Sequence, residues 1–407
     1  MHVIVVGGGA AGLLAAGMAA KRGHRVTIVE RNPRMARKVM ITGKGRCNVT
    51  NACSVQECVD NTPGNGRFLY SAFSAFPPQE VMAFFEGQGV PLKIERGNRV
   101  YPTSDKAVHI VDALVAFVKA QGCRLYTGRV TRLLLEDKRC VGVQLETGET
   151  LSADAVMVCT GGCSYPGTGS TGDGYTLAQQ AGHTIVPPRP SLVGLETEES
   201  WCAELQGLSL KNCAIAVTDT TKGKTIYTDF GEMLFTHFGV SGPMILSASV
   251  HLHGLIPGRY RLSLDLKPAL TAAQIDARLL REFDAAPNAC LGNVLAELMP
   301  RSLVAVVLQL SRAAGEMKCH SVSRAQRLRI GEVLKNIPMT ISGLRPFEEA
   351  VVTAGGVSTR EVNATTMESK LINGLYFAGE VLDVDAYTGG FNLQIAFSTG
   401  FAAGNHV

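Results

Sequence analysis

No two of the eleven cysteines in this 407-residue sequence have the C-x-x-C spacing of a thioredoxin-type pair or a zinc ribbon. Cys159 and Cys163 are four apart, and the rest are scattered. Reduced thiols and no bound metal are expected, as in a cytosolic protein. Charge of one sign is also lacking. The formal net charge is +4, from 39 basic against 35 acidic residues, and no run of like charges forms a tail. A nucleic-acid partner is therefore not expected. No apolar run approaches the ~18 residues needed to cross a bilayer. The first strand starts at His2 with no basic segment before it, so a signal peptide and a membrane partner are not expected, and a cytoplasmic location is. No repeat of fixed period is present.

What the sequence has is a 46% apolar content, 44 glycines, and a telling placement of both. His2 to Val6 (HVIVV) is a buried-strand run, Leu13 to Lys21 is an Ala-rich helical stretch stopped by Gly23, and Arg25 to Glu30 (RVTIVE) is a second strand. This is a β-α-β unit with parallel strands. Gly7-x-Gly9-x-x-Gly12 lies at its strand-to-helix turn and Glu30 ends its second strand, which makes the pattern a dinucleotide fingerprint. Gly7 permits the turn, Gly9 lets the backbone approach a pyrophosphate, and Gly12 allows helix to pack on sheet. Glu30 can accept ribose hydroxyls and repels a 2′-phosphate. Ala11 and Arg31 join these as candidate cofactor contacts.

The far end of the chain chooses between cofactors. Gly379-Glu380 follows the apolar strand Gly374 to Phe377, and Gly389-Gly390-Phe391-Asn392 opens a last helix running to about Gly404. An acid in that place holds a ribityl chain, and a helix N-terminus facing the pyrimidine end of a flavin stabilises charge on its reduced form. The pattern points to FAD. Two further segments join the candidate site. Thr42 to Asn48 (TGKGRCN) places two glycines beside Lys44 and Arg46, suited to an anionic phosphate or reduced flavin. Thr42, Gly45, Arg46 and Cys47 are its candidate cofactor residues, with backbone and basic side chains acting rather than the Cys47 thiol, which is read as packed inward. In Cys159 to Tyr175, Thr160, Gly161 and Gly162 lie where the chain passes close to the cofactor. A second formal match, Gly167-x-Gly169-x-x-Gly172, stands too far from its strand and is read as a decoy.

Residues 31 to 66 have weak secondary-structure signals. Val186 to Pro190 (VPPRP) is predicted to be a linker. The stretch from 191 to about 343 then forms a separate domain, with β runs from Leu208 to Leu266 and helices from Ala272 to Lys335.

These segments together resemble the BaiN/YhiN-like flavoproteins, also described as aminoacetone oxidase-like. The likeness is carried by GGGAAG at 7–12, TGKGRCNVTN at 42–51, TGGCSYPGTGSTGDGY at 160–175, GEMLFTHFGVSGP at 231–243 and FAGEVLDVDAYTGGFNLQIAFSTG at 377–400. The resemblance implies an α/β fold of the two-dinucleotide-binding flavoprotein type. Its Rossmann-like FAD domain spans 1–190 and 344–407, with an inserted β-barrel subdomain at 191–270 and a helical one at 271–343. It implies that Lys38, Arg46 and Asn48 line the pyrophosphate and flavin, that the Val130 backbone meets adenine, and that Glu380, Asn392 and Leu393 lie at the flavin end.

The activity expected is an FAD-dependent oxidoreductase acting on a small molecule. NAD(P)H reduces the flavin, and a hydride passes to an acceptor such as an enone C=C. Tyr165, His237 and Tyr387 are the candidate proton donors. One alternative is an oxidase of a small amine or alcohol that uses O2. Another is a nucleic-acid or redox-sensing binding protein, for which Arg312, Lys318, Arg324, Arg327 and Arg329 are the basic residues, although such a set is usually a solvated face.

Overall fold

Four apolar runs pair in parallel: His2–Val6 (β1), Arg25–Glu30 (β2), Ala155–Val158 and Leu375–Phe377. With Arg124–Thr127 at one edge, the sheet order is Leu375–Phe377, Ala155–Val158, β1, β2, Arg124–Thr127. Val3, Ile4, Val5, Ile28, Val156, Met157 and Val158 are buried. Burial on both faces is why these strands are continuously apolar rather than alternating. The computed structural model describes residues 1–407. The chain divides into two compact units, Met1–Ser191 with Pro346–Val407, and Leu192–Arg345.

In the first unit the two ends of the chain meet through small residues. The helix Ala10–Lys21 (α1) packs along the final helix Phe391–His406. A Cβ on Gly400 would stand 2.5 Å from the Ala11 carbonyl oxygen, and one on Gly404 would stand 2.4 Å from that of Ala15. The four-residue spacing on each helix puts these close approaches on one face. The stretch 31–66 is built of short pieces: a helix Arg37–Ile41, a 3-10 turn Thr42–Gly45, a strand Thr50–Asn51, and a helix Val55–Asp60 capped by Ser54 and Glu57.

The segment expected to be a linker is a strand. Ile185–Ser191 pairs antiparallel with Val352–Val357. The register shifts between Val186 and Arg189, so Pro187 and Pro188, which have no N–H to give, occupy the irregularity. The proline pair hid a short two-stranded ribbon.

The second unit is a closed antiparallel barrel with helices. Its strands run in the order Leu195–Thr197, Gly239–Ser241, Lys224–Thr236, Ser209–Asp219, Tyr260–Asp265, Ile337–Leu344 and back to the first. Its interior includes Ile215, Val217, Phe235, Leu262, Leu264, Met339 and Ile341. Full burial of each such side chain is worth about 1.5–3 kcal/mol. The last strand lies in the segment expected to be helical. Ile337, Met339 and Ile341 are buried at alternate positions, a period of two that the preceding helix Arg324–Lys335 masked.

Inside this barrel unit the Asp219 carboxylate is buried. It accepts from Arg259 Nη2 at 2.8 Å, from Thr221 N–H at 3.0 Å and from Thr221 Oγ1 at 2.6 Å. Arg259 first, then Thr221, holds this carboxyl well below the usual carboxylate range. A depressed folded-state value contributes stability that is full above the unfolded value, about 3.9, and is lost as pH falls toward the folded one. Asp219→Asn is therefore expected to lower the melting temperature at neutral pH and to flatten its acid limb below about pH 4. Melting curves across pH check this. Parallel acid limbs for the two proteins would refute it.

Candidate functional site

The β1–α1 turn opens onto a cavity in the first unit. Its wall takes in residues 6–11 of that turn, 29–32 at the end of β2, 36–39, 128–130, 159–161, 378–380 and the start of the final helix. Of the residues expected here, Gly7, Gly9, Ala11, Glu30, Arg31, Lys38, Thr42, Val130, Thr160, Gly161, Gly379, Glu380, Asn392 and Leu393 are in this wall. The sheet's C-terminal edge brings them together although they span nearly the whole chain, as open α/β sheets do.

Gly9 is the N-cap of α1, with extended backbone at φ −83° and ψ −170° and no side-chain cap. A Cβ there would meet nothing within 4 Å, so the cavity lies directly against it. The first-turn N–H groups of this helix and its positive dipole end face the same space. Glu30 is buried and holds the turn. One of its oxygens accepts from the Gly8 N–H at 2.7 Å, and the other from the Asn32 backbone N–H at 2.8 Å and from Asn32 Nδ2 at 2.7 Å.

Across the cavity, Lys38 Nζ lies 2.7 Å from Glu380 Oε2 and 2.9 Å from Oε1. Ser164 Oγ and the Thr353 N–H also donate to Glu380 Oε1, at 3.0 and 2.8 Å. Asn392 accepts from the Ala386 N–H at 3.0 Å and donates to the carbonyls of Ala386 and Tyr387. It thus ties the turn before the final helix to the helix itself.

Seven of the expected cofactor residues are not in the wall. Gly12 and Gly390 serve close backbone approach: a Cβ would stand 1.9 Å from the Gly7 carbonyl oxygen in one case and 2.3 Å from that of Thr50 in the other. Gly162 lies against Thr353. Gly45 completes the turn after Thr42. Arg46 stacks on Tyr101, 4.1 Å from the ring centroid, and is bridged to Glu95 and Asp105. Asn48 Nδ2 donates to the carbonyls of Thr50 and Val100. Cys47 is buried, and burial pushes its thiol up to about 12. Cys47→Ser is accordingly expected to leave flavin affinity and turnover unchanged. Loss of either, in protein that melts normally, would show that the thiol is used.

None of the three candidate proton donors lies in the wall. Tyr165 donates its N–H to the Phe347 carbonyl at 3.1 Å, and Tyr387 donates its N–H to the Asn61 carbonyl at 3.0 Å. His237 belongs to the second unit, where it is exposed in an edge-to-face contact with Phe238. In that unit Arg327 is paired with Asp276.

Sequence reasoning missed an arginine clasp. Arg129 grips Asp173 with two bonds of 3.0 Å, and Arg31 reaches the same carboxylate at 3.1 Å. Its signal was present but unused: Asp173 directly follows Gly172 of the decoy motif, and Gly172 caps the helix Asp173–Gln180.

The wall fits a flavin dinucleotide. Five of its residues are cationic (Arg31, Arg34, Arg37, Lys38, Arg129) against three carboxylates (Glu30, Asp173, Glu380), a surplus suited to a pyrophosphate. The Thr160 hydroxyl, also in the wall, is buried with no partner in the protein. Gly9 leaves open the space through which a phosphate reaches the helix N-terminus. Gly7, Gly9 and Ala11 would hold the pyrophosphate, Glu30 the ribose, and Glu380, Asn392 and Leu393 the flavin end.

A parallel sheet with this glycine turn and a separate antiparallel barrel define a Rossmann-type FAD-dependent oxidoreductase. More particularly, the chain belongs to the family described as HI0933-like protein Rossmann domain, which its residues 1–406 match. It is similar to the 3-dehydro-bile acid delta(4,6)-reductase of Clostridium scindens, at 33% identity over 98% of this chain and 97% of that protein. It is also similar to the ribosomal RNA dihydrouridine synthase of Haemophilus influenzae, at 29% identity over 98% and 96%. Among solved structures, the 3-ketosteroid delta1-dehydrogenase of Sterolibacterium denitrificans shares the fold, with a TM-score of 0.50 at 14% identity over 99% of this chain and 98% of that one. No helix is long and apolar enough to cross a membrane.

Proposed function

We propose that this protein reduces a carbon–carbon double bond conjugated to a carbonyl, with electrons supplied by NAD(P)H. The observation that carries this is the flavin end of the cavity. There the start of a sixteen-residue helix, with Asn392 and Leu393, lines the same cavity as the Lys38–Glu380 pair. A positive helix end placed there favours an electron-rich ring. FAD supplies hydride acceptance and donation when bound. The names of the bile-acid reductase and the dihydrouridine synthases both describe addition of two hydrogens across such a bond, which supports the same reading.

The remaining chemistry falls to the chain's own groups. Backbone N–H groups at Gly9 and Ala11 would orient the pyrophosphate, and Glu30 would orient the ribose. A proton must reach the carbon that receives no hydride. Tyr165, His237 and Tyr387 remain the candidates. Tyr387 lies in the turn that opens the final helix, where Asn392 Nδ2 donates to its backbone carbonyl at 3.2 Å, and it is the candidate put to the test. Anaerobic titration of the FAD-loaded protein with NADH and NADPH tests the donor. Bleaching of the flavin band, followed by its return on adding a steroid enone, is the expected result. No bleaching with either nucleotide, together with peroxide formed from a small amine in air, would instead make the protein an oxidase. Tyr387→Phe is expected to slow the return and leave the bleaching intact.

The full-length dihydrouridine synthase relatives favour a second reading, in which the conjugated bond is that of a uracil in RNA. Incubating the NADPH-reduced protein with undermodified ribosomal RNA and measuring dihydrouridine separates the two. Enone turnover without dihydrouridine refutes the RNA reading.

A further inference from the structure

Two cysteines near the flavin end have no part in the chemistry above. Cys53 precedes the helix Val55–Asp60 and Cys58 lies within it. Their Sγ atoms are 3.5 Å apart, in hydrogen-bond contact. All eleven cysteines are free thiols, and no other two have their sulfurs in such contact. Both are buried, Cys53 at 7% exposure and Cys58 at 0%, so Cys53 is the more accessible of the two. The hydrogen bond from Cys58 holds the Cys53 thiol below its ordinary range and pushes Cys58 above it, while burial and the Glu57 carboxylate oppose ionisation of both.

The segment carrying the pair is fastened at both ends to the turn that opens the final helix. Asn51 Nδ2 donates to the Gly389 carbonyl at 3.0 Å, and the Asn61 carbonyl accepts from the Tyr387 N–H at 3.0 Å. Gln79 Nε2 holds the Cys53 carbonyl at 3.2 Å. A bond between the two sulfurs would therefore stiffen the support of the flavin-end helix.

We propose that Cys53 and Cys58 form a peroxide-oxidisable dithiol that closes to a reversible disulfide. The Cys53 sulfur, as thiolate, attacks one oxygen of hydrogen peroxide. The O–O bond breaks, and the departing hydroxide takes up the proton lost from Cys53 to leave as water. Cys53 is then a sulfenic acid. The Cys58 sulfur attacks that sulfur, the S–S bond forms, the S–O bond breaks, and hydroxide leaves with the Cys58 proton as a second water. Two thiols and one peroxide give one disulfide and two waters, the sulfurs being oxidised and the peroxide reduced. The sulfurs must close from 3.5 Å to about 2.05 Å.

The test treats the FAD-loaded protein with hydrogen peroxide, blocks remaining thiols under denaturing conditions, and maps peptides by mass. The expected product is one peptide spanning Cys53 and Cys58, lighter by two hydrogens, unblocked at both cysteines and restored by a thiol reductant. Cys58→Ser is expected to stop the reaction at a sulfenic acid on Cys53, trapped by a dione reagent. Cys53→Ser is expected to leave Cys58 a free thiol. The proposal is overturned if the wild-type pair stays fully blockable while the half-buried Cys163 is oxidised. It is equally overturned if Cys58 oxidises as fast in Cys53→Ser as in the wild type.

Discussion

Gly9→Asp is expected to give a protein that folds normally and is colourless. The backbone at Gly9 is extended, at φ −83°, so any residue can adopt it, and a Cβ there touches nothing within 4 Å. Aspartate is also among the best N-cap residues, worth a few tenths of a kcal/mol over glycine, and its charge suits the positive end of α1. The same carboxylate occupies the space through which a pyrophosphate approaches the helix and adds repulsion between like charges. FAD affinity is expected to fall at least ~100-fold, about 2.7 kcal/mol. The flavin-free forms of variant and wild type should melt within about 2 °C of each other. Comparing flavin-free proteins matters, because bound ligand itself raises the melting temperature. Flavin fluorescence titration and melting curves supply both numbers. A yellow Gly9→Asp protein of wild-type affinity would remove the cofactor from this cavity.

Gly12→Val should fail in the opposite way, by losing the fold. Three residues along the same turn, a Cβ would stand 1.9 Å from the Gly7 carbonyl oxygen and 3.2 Å from the Cys159 Cβ. The first of these is backbone and cannot rotate aside. The variant must separate α1 from the strands it packs on, opening the buried core around Val5, Leu13 and Val158. A cost of about 3–5 kcal/mol is a large share of the 5–15 kcal/mol that holds a domain together. The melting temperature should drop by roughly 10 °C or more, or soluble protein should disappear. Soluble yield and calorimetry decide this. If Gly12→Val melts like the wild type and merely binds flavin weakly, Gly12 is a ligand contact and not a packing residue.

The two glycines belong to one motif, which gave Gly9 to the pyrophosphate and Gly12 to helix packing while counting both among the cofactor residues. Their surroundings differ: open cavity at Gly9, a carbonyl at Gly12. The Thr42–Asn48 loop is a different case. Its basic residues looked suited to an anion, yet Arg46 is occupied by Glu95, Asp105 and the Tyr101 ring, partners about 50 to 60 residues away that no local pattern announces. The Asp173 clasp went unassigned for the same reason. Its partners Arg31 and Arg129 lie on separate segments and meet it only once the sheet is formed.

Short-range patterns nonetheless determined a good deal. Continuous apolar strands, a glycine turn and an acid ending the second strand specify a nucleotide-binding β-α-β unit, because those constraints act within about thirty residues. The FAD-binding class and the start of the final helix were legible for the same reason. Tertiary structure alone decided what each glycine meets, open cavity at Gly9 and the Thr50 carbonyl at Gly390, that the proline-rich stretch is a strand, and that Ile337–Leu344 closes the barrel. Each of these depends on what a residue meets across the fold, and a linear pattern records periodicity and composition but not that neighbour.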